Sequence, residues 1–418
     1  MRHALALLLA APLVISAAPA SYETRVANVL AKTPLIDGHN DWAEALTDKA
    51  GDARWTMDLN KLDPAKYNTD IQRLRAGHVG GQFWSVYVSA SLPGPEQVKA
   101  TLEQIGLMKE IFRRYPDIFA PAITAADVRR IHAQGKIASM LGVEGGGQID
   151  GSFAVLRAYR ALGASYLTLT HTRTIEWGDS ATDDPKHEGL TKFGEAVVHE
   201  LNRLGMLVDL SHVSEDTMID ALRVSKAPVI FSHSSARGID DHPRNVSDKV
   251  LKLLAANGGV IMINYAPSYV SEARRQWEAA RNAEKARYNT PPYGGLYIGQ
   301  PDKAKAALAA WEKANPRPVV TLAQVADHID YVVKVAGIDH VGLGSDFDGV
   351  ESFPEGLGGV DTYPALLIEL MRRGWTDEMI AKLAGGNVLR VMEAAERVAA
   401  SMAKEPPATA TIAMLDGK

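Results

Sequence analysis

The 418 residues are 46% hydrophobic and 23% charged, enough apolar content for a large core beneath a soluble surface. A formal net charge of -5, with no run of Lys or Arg long enough to track a phosphate backbone, argues against nucleic acid as a partner. With 12 His and 0 Cys, disulfides and thiolate zinc sites are excluded, so a transition-metal centre would have to be made from imidazole and carboxylate.

Arg2 and His3 precede an apolar run over residues 4–18, and Ala18-Pro19-Ala20 supplies small residues at a cleavage spacing. Residues 1–20 therefore read as an export leader, giving a periplasmic or secreted protein; the run is short and broken by Pro12, which disfavours a membrane anchor. Eight candidate strands follow, at 34–39, 82–89, 137–144, 165–171, 206–212, 228–233, 259–265 and 340–346. Helical periodicity fills most of the gaps, over 97–115, 125–134, 194–204, 214–225, 247–256, 322–336 and 376–396, with Ser214 and Thr376 as N-caps. Strand and helix alternating around eight strands predicts an α/β fold, a TIM-type (β/α)8 barrel, as one catalytic domain over 21–400. Residues 271–318 break the rhythm and are expected to form a partly helical insertion after the seventh strand. The tail, 401–418, turns Ala/Thr/Pro-rich from Pro406 on and lacks the hydrophobic stretch of a lipid-anchor signal, so a soluble mature form is expected.

Barrel enzymes carry their reacting groups at the C-terminal ends of the strands. Here the first predicted strand runs into His39-Asn40-Asp41, and others end at Glu144, His171, His212, His233 and Asp346. Any one of these alone is as well explained by capping or by satisfying a nearby backbone group. Six such ends on one rim would bury uncompensated polar groups unless something binds them. His39 and Asp41 leave an extended backbone on the same side and can share one ion. Glu144 has two oxygens and could bridge that ion to a second held by His212 and His233. Two divalent ions bound through oxygen and nitrogen alone suit zinc, with manganese, cobalt or iron also admitted.

Several stretches, in order, resemble the membrane (renal) dipeptidase family of the amidohydrolase superfamily: Ile36-Asp37-Gly38-His39-Asn40-Asp41, Gly80-Gly81-Gln82-Phe83-Trp84-Ser85, Gly142-Val143-Glu144-Gly145, Leu167-Thr168-Leu169-Thr170-His171, Asp209-Leu210-Ser211-His212-Val213-Ser214, Ser232-His233-Ser234, His242-Pro243-Arg244-Asn245-Val246 and Gly344-Ser345-Asp346-Phe347-Asp348-Gly349. The likeness spans residues 34–398. It implies metal-dependent hydrolysis of dipeptides, L-Xaa-L-Xaa and also L-Xaa-D-Xaa, by a hydroxide bridging two ions. It assigns His39 and Asp41 to one ion, His212 and His233 to the other, and Glu144 to the bridge. His171 is implied at the scissile carbonyl, Arg244 at the substrate carboxylate, and Asp346 in proton transfer.

Without the resemblance, Arg244 reads equally well as a surface salt bridge, and a swap of roles between Asp346 and Asp348 stays open. Trp177-Gly178-Asp179-Ser180 resembles a family loop, with Gly178 where Ala is usual, and is expected to line the pocket. The other histidines are assigned no catalytic role, although His242 neighbours Arg244. Two readings compete: the same barrel and metals acting on a carboxylate-bearing amide, β-lactam or lactone, and a scaffold that only binds. The second needs a damaged catalytic set, and every position here is filled by a competent residue. With no Cys, any homodimer must be non-covalent.

Overall fold

A computed structural model of the chain describes residues 20–417. The leader expected over 1–20 therefore lies, Ala20 aside, outside the described residues.

The apolar runs become nine parallel strands: β1 (Leu35–Asn40), β2 (Val79–Tyr87), β3 (Phe119–Pro121), β4 (Ile137–Glu144), β5 (Ala164–Thr168), β6 (Leu207–Asp209), β7 (Ile230–Ser234), β8 (Val260–Ile263) and β9 (Val341–Leu343). Their order is β2-β1-β9-β8-β7-β6-β5-β4-β3, and a further β2–β4 pairing closes the ring. Eight strands thus form a (β/α)8 barrel, with β3 outside it. β2 pairs with β4 from Ala138 to Glu144, so β3 takes the other edge over Ile137–Ser139, before β5 joins at Leu141.

Side-chain alternation along β4 sets the layers. Ala138 and Met140 face inward to a cluster with Ile36, Phe83, Tyr166, Ile230 and Met262, while Ile137, Leu141 and Val143 pack outward among the helices. Strands covered on both faces are apolar for most of their length, and every residue of β1 and β4 is buried, with the buried polar residues Asp37, His39 and Asn40 following Leu35 and Ile36 in β1. The long predicted helices lie where expected; that over 322–336 is Leu322–Ala336, and Ser214 and Thr376 accept at 3.2 Å from Thr217 N and Met379 N as N-caps.

Several elements escaped the sequence reading. β3 is three residues with a proline, too short to show a period. The helices Trp42–Ala50, Phe153–Ala161 and Tyr363–Arg372 were not assigned. The predicted helix 376–396 is in fact Asp377–Ala381, a π-helical stretch Lys382–Gly386 and Asn387–Ser401. A Cβ on Gly385 would strike Pro34 O and Ile36, so the wider turn sits where helix backbone presses on the start of β1.

Between β8 and β9, the stretch 271–318 contributes two helices, Glu272–Tyr288 and Pro301–Ala314. They meet through Trp277 and Trp311, 6.0 Å apart, and through Arg281 and Glu312 at 2.6 Å. Among the described residues, no helix is long and apolar enough to cross a membrane.

Candidate metal centre

The strand ends converge. Glu144, the last residue of β4, turns its Oε2 to His39 Nε2 at 3.3 Å and its Oε1 to His212 Nε2 and His233 Nε2 at 3.1 and 3.3 Å. His39 Nε2 is also 3.2 Å from Asp41 Oδ2. One carboxylate thus stands between a His-Asp pair on one side and a His-His pair on the other. Asp346 groups with His39 and Asp41, and His171 with Glu144 and His212. All these residues are buried except His171, whose side chain keeps 15% of its exposure and so faces the opening.

Local backbone explains the aim of these side chains. Six non-glycine residues have positive φ among the described residues, and three of them, His212, Asp346 and Asp348 (70°, 63° and 68°), belong to this rim. Holding L-residues in that region costs energy, and it bends the chain sharply just past β6 and β9. Gly142 matters for another reason: a Cβ there would overlap the ring of Tyr166, whose hydroxyl meets His39 Nδ1 at 2.8 Å. The missing side chain lets Tyr166 fix the ring so that Nε2 points to the cluster. His233 is held in a similar way by Ser232 Oγ at 2.8 Å from Nδ1, and Ser232 Oγ in turn donates to Asp209 at 2.6 Å.

The donor set fits cations. His39 Nε2 and Asp41 Oδ1 are buried without any hydrogen bond, and the Nε2 atoms of His212 and His233 turn to the same point, 2.9 Å apart. Burial drives His212 and His233 well below the ordinary imidazole range, which leaves them neutral, the form that ligates. Burial pulls His39 the same way, yet Glu144, Tyr166 and Asp41 overcome it and raise its pKa well above the usual value. For Glu144, burial works against ionisation, but the surrounding histidines hold it well below the usual carboxylate range. Asp346 is pushed up to about 8, first by burial and then by Asp41. Three buried carboxylates crowded in this way call for positive charge.

Asp346 and Asp348 separate clearly in space. Asp346 Oδ2 accepts from Asn264 Nδ2 at 2.9 Å beside the cluster, whereas Asp348 Oδ1 accepts from Asn68 N at 2.9 Å, on the far side of the turn. Arg244 is not on the surface: it is 1% exposed, and no carboxylate lies within ion-pair distance among the described residues. Its guanidinium makes long contacts to Ser234 Oγ (3.4 Å) and His233 O (3.3 Å) and sits 5.3 Å over the Tyr269 ring, leaving Nε unpaired. His242 Nδ1 accepts from Arg244 N at 3.0 Å and so supports the turn.

The expected pocket lining at 177–180 is corrected by the structure. Trp177 is buried against Gly146 and Phe193, Asp179 gathers the backbone N–H groups of Lys186, His187 and Gly189, and Ser180 Oγ donates to His171 O. This loop braces His171 from behind. Tyr166 and Asn264 were missed by sequence reasoning; an amide beside the end of a predicted strand was a usable signal for Asn264, but nothing local marked Tyr166.

Comparison with known proteins places the chain in a family. The family described as membrane dipeptidase (peptidase family M19) matches residues 23–406. Dipeptidase aclJ of Aspergillus oryzae is 39% identical over 395 residues, covering 92% of this chain and 84% of that protein. The probable dipeptidase PvdM of Pseudomonas aeruginosa shares the fold with a TM-score of 0.76 at 24% identity, over 90% of this chain and 99% of that one. A metallo peptidase from Rhodobacter sphaeroides, liganded with a phosphinate mimic of the dipeptide L-Ala-D-Ala, has a TM-score of 0.71 at 24% identity, over 87% and 99%. The chain belongs to the membrane dipeptidase family and is a metal-dependent hydrolase.

Proposed function

We propose that the protein hydrolyses the peptide bond of dipeptides, both L-Xaa-L-Xaa and L-Xaa-D-Xaa, with two divalent ions, zinc by preference, held by His39, Asp41, Glu144, His212 and His233. The observation that carries this reading is the division of Glu144, one oxygen towards His39 and the other towards His212 and His233. Two such ions, when bound, supply an acidified water near neutral pH and polarise the carbonyl that it attacks.

The chain's own residues do the rest. Arg244, buried and without an acidic partner, grips the substrate's free carboxylate, which restricts the enzyme to substrates with a carboxylate next to the cleaved bond. His171, at the open side of the cluster, donates a hydrogen bond to the carbonyl oxygen as charge builds on it; such donors contribute about 3–4 kcal/mol to the transition state. Asp346, oriented by Asn264, takes a proton from the attacking water and delivers it to the leaving amine. The phosphinate mimic of L-Ala-D-Ala bound by the Rhodobacter sphaeroides protein supports including D-residues on the C-terminal side. Action outside the cytoplasm belongs to the same reading, since residues 1–20 read as an export leader, and N-terminal sequencing of exported material tests it.

Metal-reconstituted protein should release free amino acids from L,L and L,D dipeptides, and complete chelation should stop it. Arg244→Ala should lower dipeptide cleavage far more than cleavage of an ester without a carboxylate. Turnover that survives metal removal, or equal losses on both substrates, would refute the assignment.

A further inference from the structure

Between the catalytic rim and the two inserted helices lies a cavity of about 740 Å³. Its inner end is formed by Tyr269, over which Arg244 lies, and by Gly349, where a Cβ would collide with the carboxylates of Asp41 and Asp346. The cavity therefore begins beside the carboxylates of Asp41 and Asp346. Its outer wall is the helix Glu272–Tyr288, through Arg274, Trp277, Arg281 and Asn282.

That wall is anchored. Arg274 is buried, donates to Glu278 at 2.7 Å and to Ser352 Oγ at 3.1 Å, and stacks 5.5 Å from the Trp277 ring. Trp277 Nε1 donates to Asn315 O at 2.8 Å, which fixes the indole from the other side. Cavities of roughly 300–1,000 Å³ hold drug-sized ligands, so this one far exceeds the needs of a methyl side chain. Beside the Trp277 and Tyr269 rings, its lining carries Arg281, Arg317 and Lys285 together with Glu278, Glu312 and Glu351, so it is broad and polar and suits a large planar side chain with a polar edge, such as an indole, better than a small aliphatic one.

We propose that the inserted helices make this cavity a side-chain pocket, and that the enzyme prefers dipeptides bearing a large aromatic side chain, with Trp277 setting that preference. The proposal rests on the dipeptidase reading given above. A substrate with its carboxylate at Arg244 and its scissile bond at Glu144 projects one side chain past Tyr269 and Gly349 into the cavity.

The test compares kcat/KM for Ala-Ala, Trp-Ala and Ala-Trp with the metal-loaded full chain, in the parent, in Trp277→Ala and in Asn282→Trp, which fills the cavity instead of emptying it. Thermal melts show whether each variant keeps its fold. At least one Trp dipeptide should exceed Ala-Ala in the parent, and the ratio of the two should fall about tenfold in both variants. A parent that prefers Ala-Ala to both Trp dipeptides overturns the pocket, as does a ratio that stays put in the folded variants. If Ala-Ala is cleaved and only the preference fails, the dipeptidase reading stands without the pocket; if no dipeptide is cleaved, both fall.

Discussion

At the barrel rim, the side chains around Glu144 are buried, carried on separate strands and braced by further hydrogen bonds such as Tyr166 to His39 and Asn264 to Asp346. Across the cavity, the two inserted helices bury one side chain, Arg274, and otherwise meet through half-exposed contacts such as Arg281 with Glu312. The rim is held by the cooperative packing of a closed sheet, whereas the insertion is anchored at Arg274 and Trp277 and otherwise rests on pairs that water screens. In the readings proposed above, the chemistry, which tolerates little displacement, belongs to the first and selection among substrates to the second. Substitution in each region should therefore have a different kind of consequence.

The largest effect is expected from Glu144→Ala. It removes the oxygens facing His39 on one side and His212 and His233 on the other, so activity should fall by at least about 10³-fold and bound metal should drop together with it. Metal content of the purified variant, set beside its kcat, checks this. A variant that keeps its full metal complement and most of its turnover would erase the distinction between rim and insertion.

The same contrast explains what was legible in the sequence. Each barrel strand announces itself with a local apolar run, and the predicted ligands lie at or beside the ends of those runs, so the fold and the cluster could be read without knowing which strands touch. Tyr166 could not be found in that way. Its contact with His39 joins residues 127 apart and needs Gly142 to leave room for the Tyr166 ring, a fact of register rather than of pattern. The two inserted helices were visible as composition alone, because they meet chiefly each other and bury one side chain between them, Arg274, which leaves little apolar period to read. Arg244 is intermediate: its turn was legible, but its burial without an acid depends on the loop closing over Tyr269.

A second effect, smaller, concerns the seam between the two regions. His328, fully buried on the helix after the insertion, accepts from Ala236 N at 3.1 Å through Nδ1 and meets Val270 O at 3.0 Å through Nε2. It ties the loop after β7 to the residue just before the inserted helices. Burial lowers its pKa to about 4, and a proton on Nδ1 would break the hydrogen bond that Nδ1 accepts from Ala236 N. The unfolded chain binds that proton near pH 6.5, so the stabilisation is complete above about 6.5 and is lost as pH falls through about 4, at most about 3 kcal/mol. Denaturant unfolding across that window should be steeper in the parent than in His328→Gln. Equal slopes would show that the seam does not titrate.

The smallest effect should come from the insertion itself. Arg281 and Glu312 bridge its helices at 2.6 Å, with side chains 34% and 36% exposed, so water screens their attraction and both lose side-chain freedom in making it. A double-mutant cycle on Arg281→Ala and Glu312→Ala should give a coupling of about 0.2–1 kcal/mol in global stability, shrinking further in high salt. Both residues line the cavity, so under the pocket proposal the pair borders the space that a large side chain would enter. Its loss should therefore alter discrimination between large and small side chains more than it alters melting temperature. A coupling of several kcal/mol would mean that the inserted helices are part of the cooperative unit formed by the barrel. In that case the division between a rigid rim and a lightly held selecting wall would have to be given up.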